Sequence, residues 1–213
     1  MNKSVYSLVL MDDVIQAVDA EAYRRGTSRS NLINQILAEH LSCITPEMRM
    51  QEIFCSLTDL ISSSFQIQQQ RSASLMTLRT ALEYKYRPTV NYKVELERSP
   101  DEFLGTLKVR IRTQSEPLIN LFNNFFIYRV KLEAAALAQL SYENYTCELC
   151  SGSFTRKLIN SGLNEEQNGA AISRYLTNLN QSIQAYFSGP QSFRQLAPEL
   201  EYEYKNLLEE FII

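Results

Sequence analysis

Residues 1–43 constrain the fold more than any other part of the chain. A strand-like run at residues 4–10 is followed there by two short amphipathic helices. A lone strand is not stable in water, and a module of about forty residues buries too little apolar surface to stand alone. We therefore predict that this module folds by pairing with a second copy of itself, which makes the protein a homodimer.

Local signals set the helix boundaries in this module. Asp12 and Asp13 open the first helix, where acidic side chains suit the helix dipole, and the helix stops at Gly26 after a pair of arginines. Thr27 and Ser28 offer an N-cap for the second helix. That helix presents one aliphatic face, made of Leu32, Ile33, Ile36, Leu37 and Leu41.

The order of these features resembles the ribbon-helix-helix family of the CopG, Arc and MetJ type. Residues 3–42 carry the resemblance, above all the stretch AYRRGTSRSNLINQIL. In that family two strands pair antiparallel across a dimer axis, and the resulting ribbon enters the major groove of DNA. The resemblance implies a homodimeric DNA-binding protein, first of all a transcriptional regulator. Antitoxins and accessory proteins of plasmid transfer belong to the same family, although antitoxins usually end in a short flexible tail.

The resemblance also assigns faces to the strand. Tyr6, Leu8 and Leu10 are expected to point into the dimer core. The residues expected to face the DNA bases are Lys3, Val5, Ser7 and Val9. Valine can only pack, for example against a thymine methyl group, so two of these four positions depart from the polar pattern of the family. This departure leaves open the alternative that the module only dimerises the chain.

The start of the second helix is the expected phosphate contact of the module. The resemblance places Thr27, Ser28 and Arg29 beside the DNA backbone. Free backbone N–H groups and the positive end of the helix dipole suit an anion at this position.

The basic charge of the chain lies elsewhere. The net charge is −3, which argues against a generic basic nucleic-acid binder, yet residues 71–114 carry nine basic and five acidic side chains. Strand-like alternation over residues 84–97 and 106–114 predicts an antiparallel pair in this region. The basic residues on the two strands are Lys85, Arg87, Lys93, Lys108, Arg110 and Arg112.

Three interpretations of this basic pair of strands are open. Tyr84, Tyr86 and Tyr92 are interleaved with the cations, which is typical of a platform for single-stranded DNA or RNA. Strict alternation instead places the tyrosines on the opposite face, behind a solvated basic surface. The third interpretation is a pocket for an anionic effector.

The rest of the chain predicts a larger, mostly helical domain. Residues 44–83 are expected to form a connecting helix or helices, with an amphipathic pattern over residues 47–66. Residues 84–213 are expected to form the C-terminal domain, a β-hairpin followed by helices. The helices are expected from Ser115 through residue 130 and over residues 153–161, 164–187 and 191–211. We predict an α+β fold, mostly helical, with a small antiparallel sheet covered by helices.

The sequence offers no catalytic constellation. His40 is the one histidine, and the six glycines are isolated, so no phosphate-binding loop is predicted. We predict a protein that is not an enzyme and uses no cofactor. The alternative to transcription regulation is an interaction protein, whose basic sheet binds single-stranded nucleic acid or a protein partner.

The four cysteines are expected to be reduced thiols rather than disulfides or metal ligands. One alternative is a zinc set made of Cys147 and Cys150, which form a C-x-x-C, with His40 and Cys43. No apolar run is long enough for a membrane span, and the first residues lack a signal-peptide pattern. We therefore expect a cytoplasmic protein.

Overall fold

The computed structural model describes residues 7–41, 43–68, 72–142 and 145–213, and only the backbone of residues 190 and 192. The chain divides into two compact units, Met1–Arg49 and Met50–Ile213. In the described residues the fold is α+β and mostly helical, which confirms the predicted fold class. No described helix has the length and apolar character that crossing a membrane requires.

The first unit contains α1 (Asp12–Arg24) and α2 (Arg29–His40). The two helices begin and end where the sequence predicts. Gly26 has a φ of 60°, a backbone conformation that glycine adopts without steric cost, and this allows the tight turn between them. The third helix, α3 (Pro46–Leu60), begins before the division between the units and lies mainly in the second.

A six-stranded antiparallel sheet forms the centre of the second unit. Its strands are β1 (Gln66–Ile67), β2 (Leu75–Ala81), β3 (Thr89–Leu96), β4 (Phe103–Arg112), β5 (Cys147–Cys150) and β6 (Ser153–Ile159). Their order across the sheet is β1-β2-β3-β4-β6-β5, and every neighbouring pair is antiparallel. The predicted pairing of two basic strands is confirmed as β3 with β4, although both strands begin and end at shifted residues.

Three long helices build the core against one face of this sheet. They are α4 (Glu116–Gln139), α5 (Glu165–Phe187) and α6 (Pro190–Glu210). Alternate residues of β2, β3 and β4 are buried in one cluster with the aromatic side chains of α4. Phe126 of α4 stacks on Phe154 of β6 with a distance of 4.3 Å between ring centroids. The sheet therefore has a covered face and a second face whose residues are polar.

Helices α3 and α5 approach each other closely at Gly169. A Cβ atom on Gly169 would lie 2.6 Å from the backbone oxygen of Ile53 and 2.6 Å from the Cβ atom of Ser56. The Ser56 hydroxyl donates a hydrogen bond to the backbone oxygen of Glu166 at 3.0 Å. Only glycine fits this contact without a shift of one helix.

A carboxylate between two guanidinium groups is buried under the sheet. Glu133 of α4 accepts hydrogen bonds from Arg129 Nε at 2.6 Å and from Arg156 Nη1 at 3.0 Å. The hydroxyl groups of Tyr175 and Tyr145 donate to the same carboxylate at 2.7 and 3.0 Å. All three charged side chains are almost fully shielded from solvent. With four donors around it, Glu133 is held as an ionised acceptor.

Two predicted segments differ from the structure. The connecting segment 44–83 is helical only as far as Leu60, because Gln66–Ile67 and Leu75–Ala81 are strands of the sheet. The helix expected over residues 153–161 is wrong, since Ser153–Ile159 forms β6 and pairs with both β4 and β5. In β6 the inward position between Phe154 and Leu158 is taken by Arg156, so the alternation of a strand is hidden in the sequence.

Candidate functional site

The first unit buries very little apolar surface. Among its described residues the buried hydrophobic side chains are Ala22, Leu32 and Ala38. Leu8 is 53% exposed, Ile36 48% and Leu41 65%. A groove of about 430 Å³ between α1 and α2 is lined mainly by apolar residues, with Leu32 at its base. The groove brings apolar side chains of both helices together, and a contiguous apolar surface is typical of interaction faces.

The strand that the sequence assigns to DNA contact is only partly described. Lys3 and Val5 lie outside the described residues. Ser7 and Val9 are both exposed, and Val9 is fully so, whereas Leu10 is only 37% exposed. Residues 7–10 pair with no described strand of the chain. Residues 7–10 form no strand in the described part of the chain, so their pairing with a second copy stays a prediction.

The phosphate contact at the start of α2 stays a prediction: the helix cap is present, but Arg29 has a partner within the chain. Ser28 caps α2, since its side-chain oxygen accepts a hydrogen bond from the backbone N–H of Asn31 at 3.3 Å. Arg29 forms an ion pair with Asp19 of α1. The guanidinium is 67% exposed and remains accessible to solvent. A phosphate group at the start of α2 would therefore compete with Asp19 for Arg29.

The other two arginines of the turn are also paired. Arg24 donates to Glu21 at 2.7 Å, and Arg25 forms a second ion pair with the same carboxylate. Hydrogen bonds from Arg24 and then Arg25 lower the pKa of Glu21 to about 2. Arg24, Arg25 and Arg29 thus all form ion pairs with acidic side chains of the first unit.

The most basic surface lies on the polar face of the sheet, which we call the open face. Its polar side chains on β2, β3, β4 and β6 include Thr77, Arg79, Asn91, Lys93, Lys108, Arg110, Arg112, Thr155 and Lys157, and the acidic Glu95 of β3 lies on the same face. Lys93 and Lys108 stand directly opposite each other in the register of β3 and β4. Like charges in opposing positions destabilise a sheet. Four of the six basic residues predicted for this surface lie on it.

The other two predicted basic residues are not on the sheet. Strand β3 begins at Thr89, so Lys85 and Arg87 belong to the loop 82–88 between β2 and β3. This loop turns sharply, with a φ of 67° at Tyr86 and 43° at Arg87. Lys85 Nζ lies 5.1 Å from the centroid of the Tyr86 ring. The predicted face is corrected accordingly to Lys93, Lys108, Arg110 and Arg112.

The tyrosines do not form a stacking surface beside these cations. Tyr92 is fully buried on the covered face, where its hydroxyl donates to Asn180 at 3.1 Å. Tyr84 lies in the loop and contacts the edge of Phe187, with ring centroids 5.9 Å apart. Strict alternation of β3 places its tyrosine behind the sheet, as the second interpretation predicts.

Arg79 and Asn91 are site residues that sequence reasoning missed. Arg79 lies on β2, in a segment where the sequence predicts a connecting helix. Its Nε donates to Asn91 Oδ1 at 3.1 Å, and its Nη2 donates to Gln68 Oε1 at 3.1 Å. The alternation of LMTLRTA, with Met76, Leu78 and Thr80 buried, is the signal that could have found this strand.

Cys147 and Cys150, the C-x-x-C pair of the alternative zinc set, do not converge on one point. Cys147 and Cys150 lie at the two ends of β5, and residues three apart on a strand point to opposite faces. Cys147 faces inward in register with Arg156, whereas the exposed Cys150 donates to Glu148 at 3.5 Å. Throughout the described residues, no three or more His, Cys, Asp or Glu side chains group into a metal site. All four thiols are free.

Comparison of the chain with protein-family models, with curated proteins and with solved structures finds no match in any of the three.

Proposed function

We propose that the protein is a homodimeric, nucleic-acid-binding regulator of transcription whose first unit acts as a ribbon-helix-helix module. The uncovered apolar face of α1 and α2 is the observation that carries this proposal, because a second copy would cover it. The order of helix, glycine turn and Ser28-capped helix supports it. The second unit then supplies an effector-binding or oligomerisation function.

Dimerisation is tested by a charge on the uncovered face. Ile36 lines the groove of the first unit, so Ile36→Glu would bring an unpaired carboxylate into the dimer core. We expect the mass in analytical ultracentrifugation to fall from that of two chains to that of one, with loss of duplex binding. The matched control is Asn34→Glu, two residues away on an exposed position of the same helix, which should remain a dimer. A dimeric Ile36→Glu protein would exclude this face as the interface.

Duplex contact is tested at the ion pair between Arg29 and Asp19. Arg29→Ala should weaken binding to a random-sequence DNA duplex and lower the slope of log affinity against log salt by about 1, as expected for one lost phosphate contact. Asp19→Asn frees the guanidinium and should strengthen binding. Fluorescence anisotropy over a salt series measures both changes. Equal affinities for the parent and both variants would contradict a phosphate contact at the start of α2.

A second candidate function is favoured by the distribution of paired charges. In the first unit Arg24, Arg25 and Arg29 all pair with acidic neighbours. On the open face, by contrast, Arg110 and Arg112 form no ion pair with a described residue. Under this alternative the module only dimerises the chain. The open face then binds a protein partner or single-stranded nucleic acid. Oligothymidylate binding that survives Arg29→Ala but is lost with Lys108→Gln would support it over the duplex proposal.

A further inference from the structure

The open face contains a depression of about 660 Å³. Its floor is formed by the outward residues of β2, β3 and β4, and its rim by residues just beyond β1 and β4. The polar side chains that line it are Gln68, Thr77, Arg79, Asn91, Arg110, Arg112, Thr113 and Gln114. In the part of the chain that the structure describes, no lining residue is acidic.

Arg79 is held in this depression by neutral groups. Two hydrogen bonds, to the amide oxygens of Asn91 and Gln68, fix its half-buried guanidinium. Amide oxygens orient the guanidinium plane but leave its positive charge uncompensated. The remaining N–H groups of an arginine are donors with no acceptor function of their own, so an anion is the group that completes the arrangement.

Two further guanidinium groups surround the same space. In the sheet register Arg79 pairs with Asn91, and Asn91 pairs with Arg110, so Arg79 and Arg110 flank one asparagine from adjacent strands. Arg112 lies two residues further along β4 on the same face. Strands β2 and β4 are two spacings apart, roughly 10 Å, which the arms of two arginines can bridge from either side of a ligand.

Two lysines elsewhere on the open face form ion pairs with acidic side chains. Lys93 Nζ lies 3.2 Å from Glu95, and Lys157 Nζ lies 3.7 Å from Glu97. Neither Arg110 nor Arg112 forms an ion pair with any residue that the structure describes. Three arginines without an ion pair therefore meet at the depression, whereas Lys108 is the one other described cation on the open-face strands that lacks an ion pair.

We propose that this depression binds a small organic anion with at least two negative charges, of the phosphate-ester class. Guanidinium groups match phosphate oxygens through paired, charge-assisted hydrogen bonds. The amide and hydroxyl groups of Gln68, Thr77 and Gln114 suit the polar, uncharged part of such a ligand. A single nucleic-acid strand is less favoured, because base stacking requires aromatic rings and Tyr92 points to the covered face. The site uses only residues of the second unit and does not depend on duplex binding by the first.

The sharpest test is Asn91→Asp, which supplies an anion from the protein itself. Aspartate has nearly the same shape and still accepts the hydrogen bond from Arg79, so the fold is retained. Its negative charge lies between Arg79 and Arg110 and should compete with the ligand. We expect inorganic pyrophosphate to bind the parent protein at one saturable site per chain in isothermal titration calorimetry. Asn91→Asp should weaken that binding at least about tenfold, since charge-assisted bonds are replaced by repulsion.

Arg79→Gln and Arg110→Gln should weaken pyrophosphate binding to a similar extent. Lys108→Gln is the matched control, because Lys108 lies on the same face of β4 but does not line the depression. Thermal denaturation of each variant verifies folding. Absence of saturable pyrophosphate binding would overturn the proposal, and so would unchanged affinity in Asn91→Asp. Oligothymidylate that binds more tightly than pyrophosphate, and loses affinity equally in Lys108→Gln, would overturn it in favour of a nucleic-acid surface.

Discussion

Glu133→Gln is expected to lower the free energy of unfolding by about 3–5 kcal/mol, because it leaves buried guanidinium groups without a counter-charge. Glutamine keeps the shape of the side chain but turns an amide N–H₂ group toward donors. Arg129 and Arg156 are almost fully shielded from solvent, so water cannot replace the lost carboxylate. Urea denaturation followed by circular dichroism measures the change.

The control for this substitution is an ion pair on the surface. Arg174 and Glu210 form an ion pair in which the side chains are 48% and 56% exposed. Glu210→Gln should therefore change the free energy of unfolding by at most about 1 kcal/mol, as exposed pairs do. Similar small losses in both variants would show that burial of the Glu133 network contributes no more than a surface contact.

Acidification should act on the same carboxylate. Burial raises the pKa of Glu133, but Arg156 and Arg129 beside it outweigh burial and hold the pKa below its ordinary value. A carboxyl group whose folded pKa is depressed contributes stability above its unfolded pKa and loses that contribution as the pH falls through the folded pKa. The free energy of unfolding should decline below about pH 4 in the parent protein. The decline should be shallower in Glu133→Gln.

Gly169→Ala is the second large expected effect. At an unconstrained helical position this change stabilises a protein by about 0.5–1 kcal/mol, since alanine has the higher helix propensity. Here the added Cβ would meet the backbone oxygen of Ile53 at 2.6 Å. Overpacking of this kind costs about 1–3 kcal/mol, so the sign of the change should be reversed.

The sign of the change in the free energy of unfolding decides whether the close contact at Gly169 exists. Gln181 lies on the exposed side of the same helix, and Gln181→Ala should change the free energy of unfolding by no more than about 0.5 kcal/mol. Chemical denaturation of both variants gives the comparison. A stabilised Gly169→Ala protein would mean that α3 and α5 separate enough to admit a methyl group, against the close contact described above.

Local sequence patterns are sufficient to predict the elements with clear end signals or with a regular alternation of polar and apolar residues. The boundaries of α1 and α2 follow from the acidic first turn of α1, from Gly26 and from the Ser28 cap of α2. The pairing of β3 with β4 follows from their two-residue periodicity. These signals depend only on neighbouring residues, so one sequence suffices to recognise them.

The strands that were missed depend on contacts distant in sequence. Arg156 occupies an inward position of β6 because Glu133 of α4 neutralises its charge there. The residues next to Arg156 in the sequence do not indicate this partner. The sequence predicts a connecting helix where β2 lies, so Arg79 is not expected on the sheet. The candidate anion site was therefore predicted only in its β4 half, through Arg110 and Arg112, while its β2 half required the sheet register.

The position of β6 also has a consequence for the order in which the second unit folds. Strands β2, β3 and β4 follow one another through short loops, whereas β6 reaches β4 only after the whole of α4. Contacts between near neighbours close with the smaller loss of chain entropy, so we expect the meander of three strands to form early and β6 to join late. In that order Glu133 of α4 would already be in position when β6 joins, so Arg156 would be buried together with its counter-ion rather than alone.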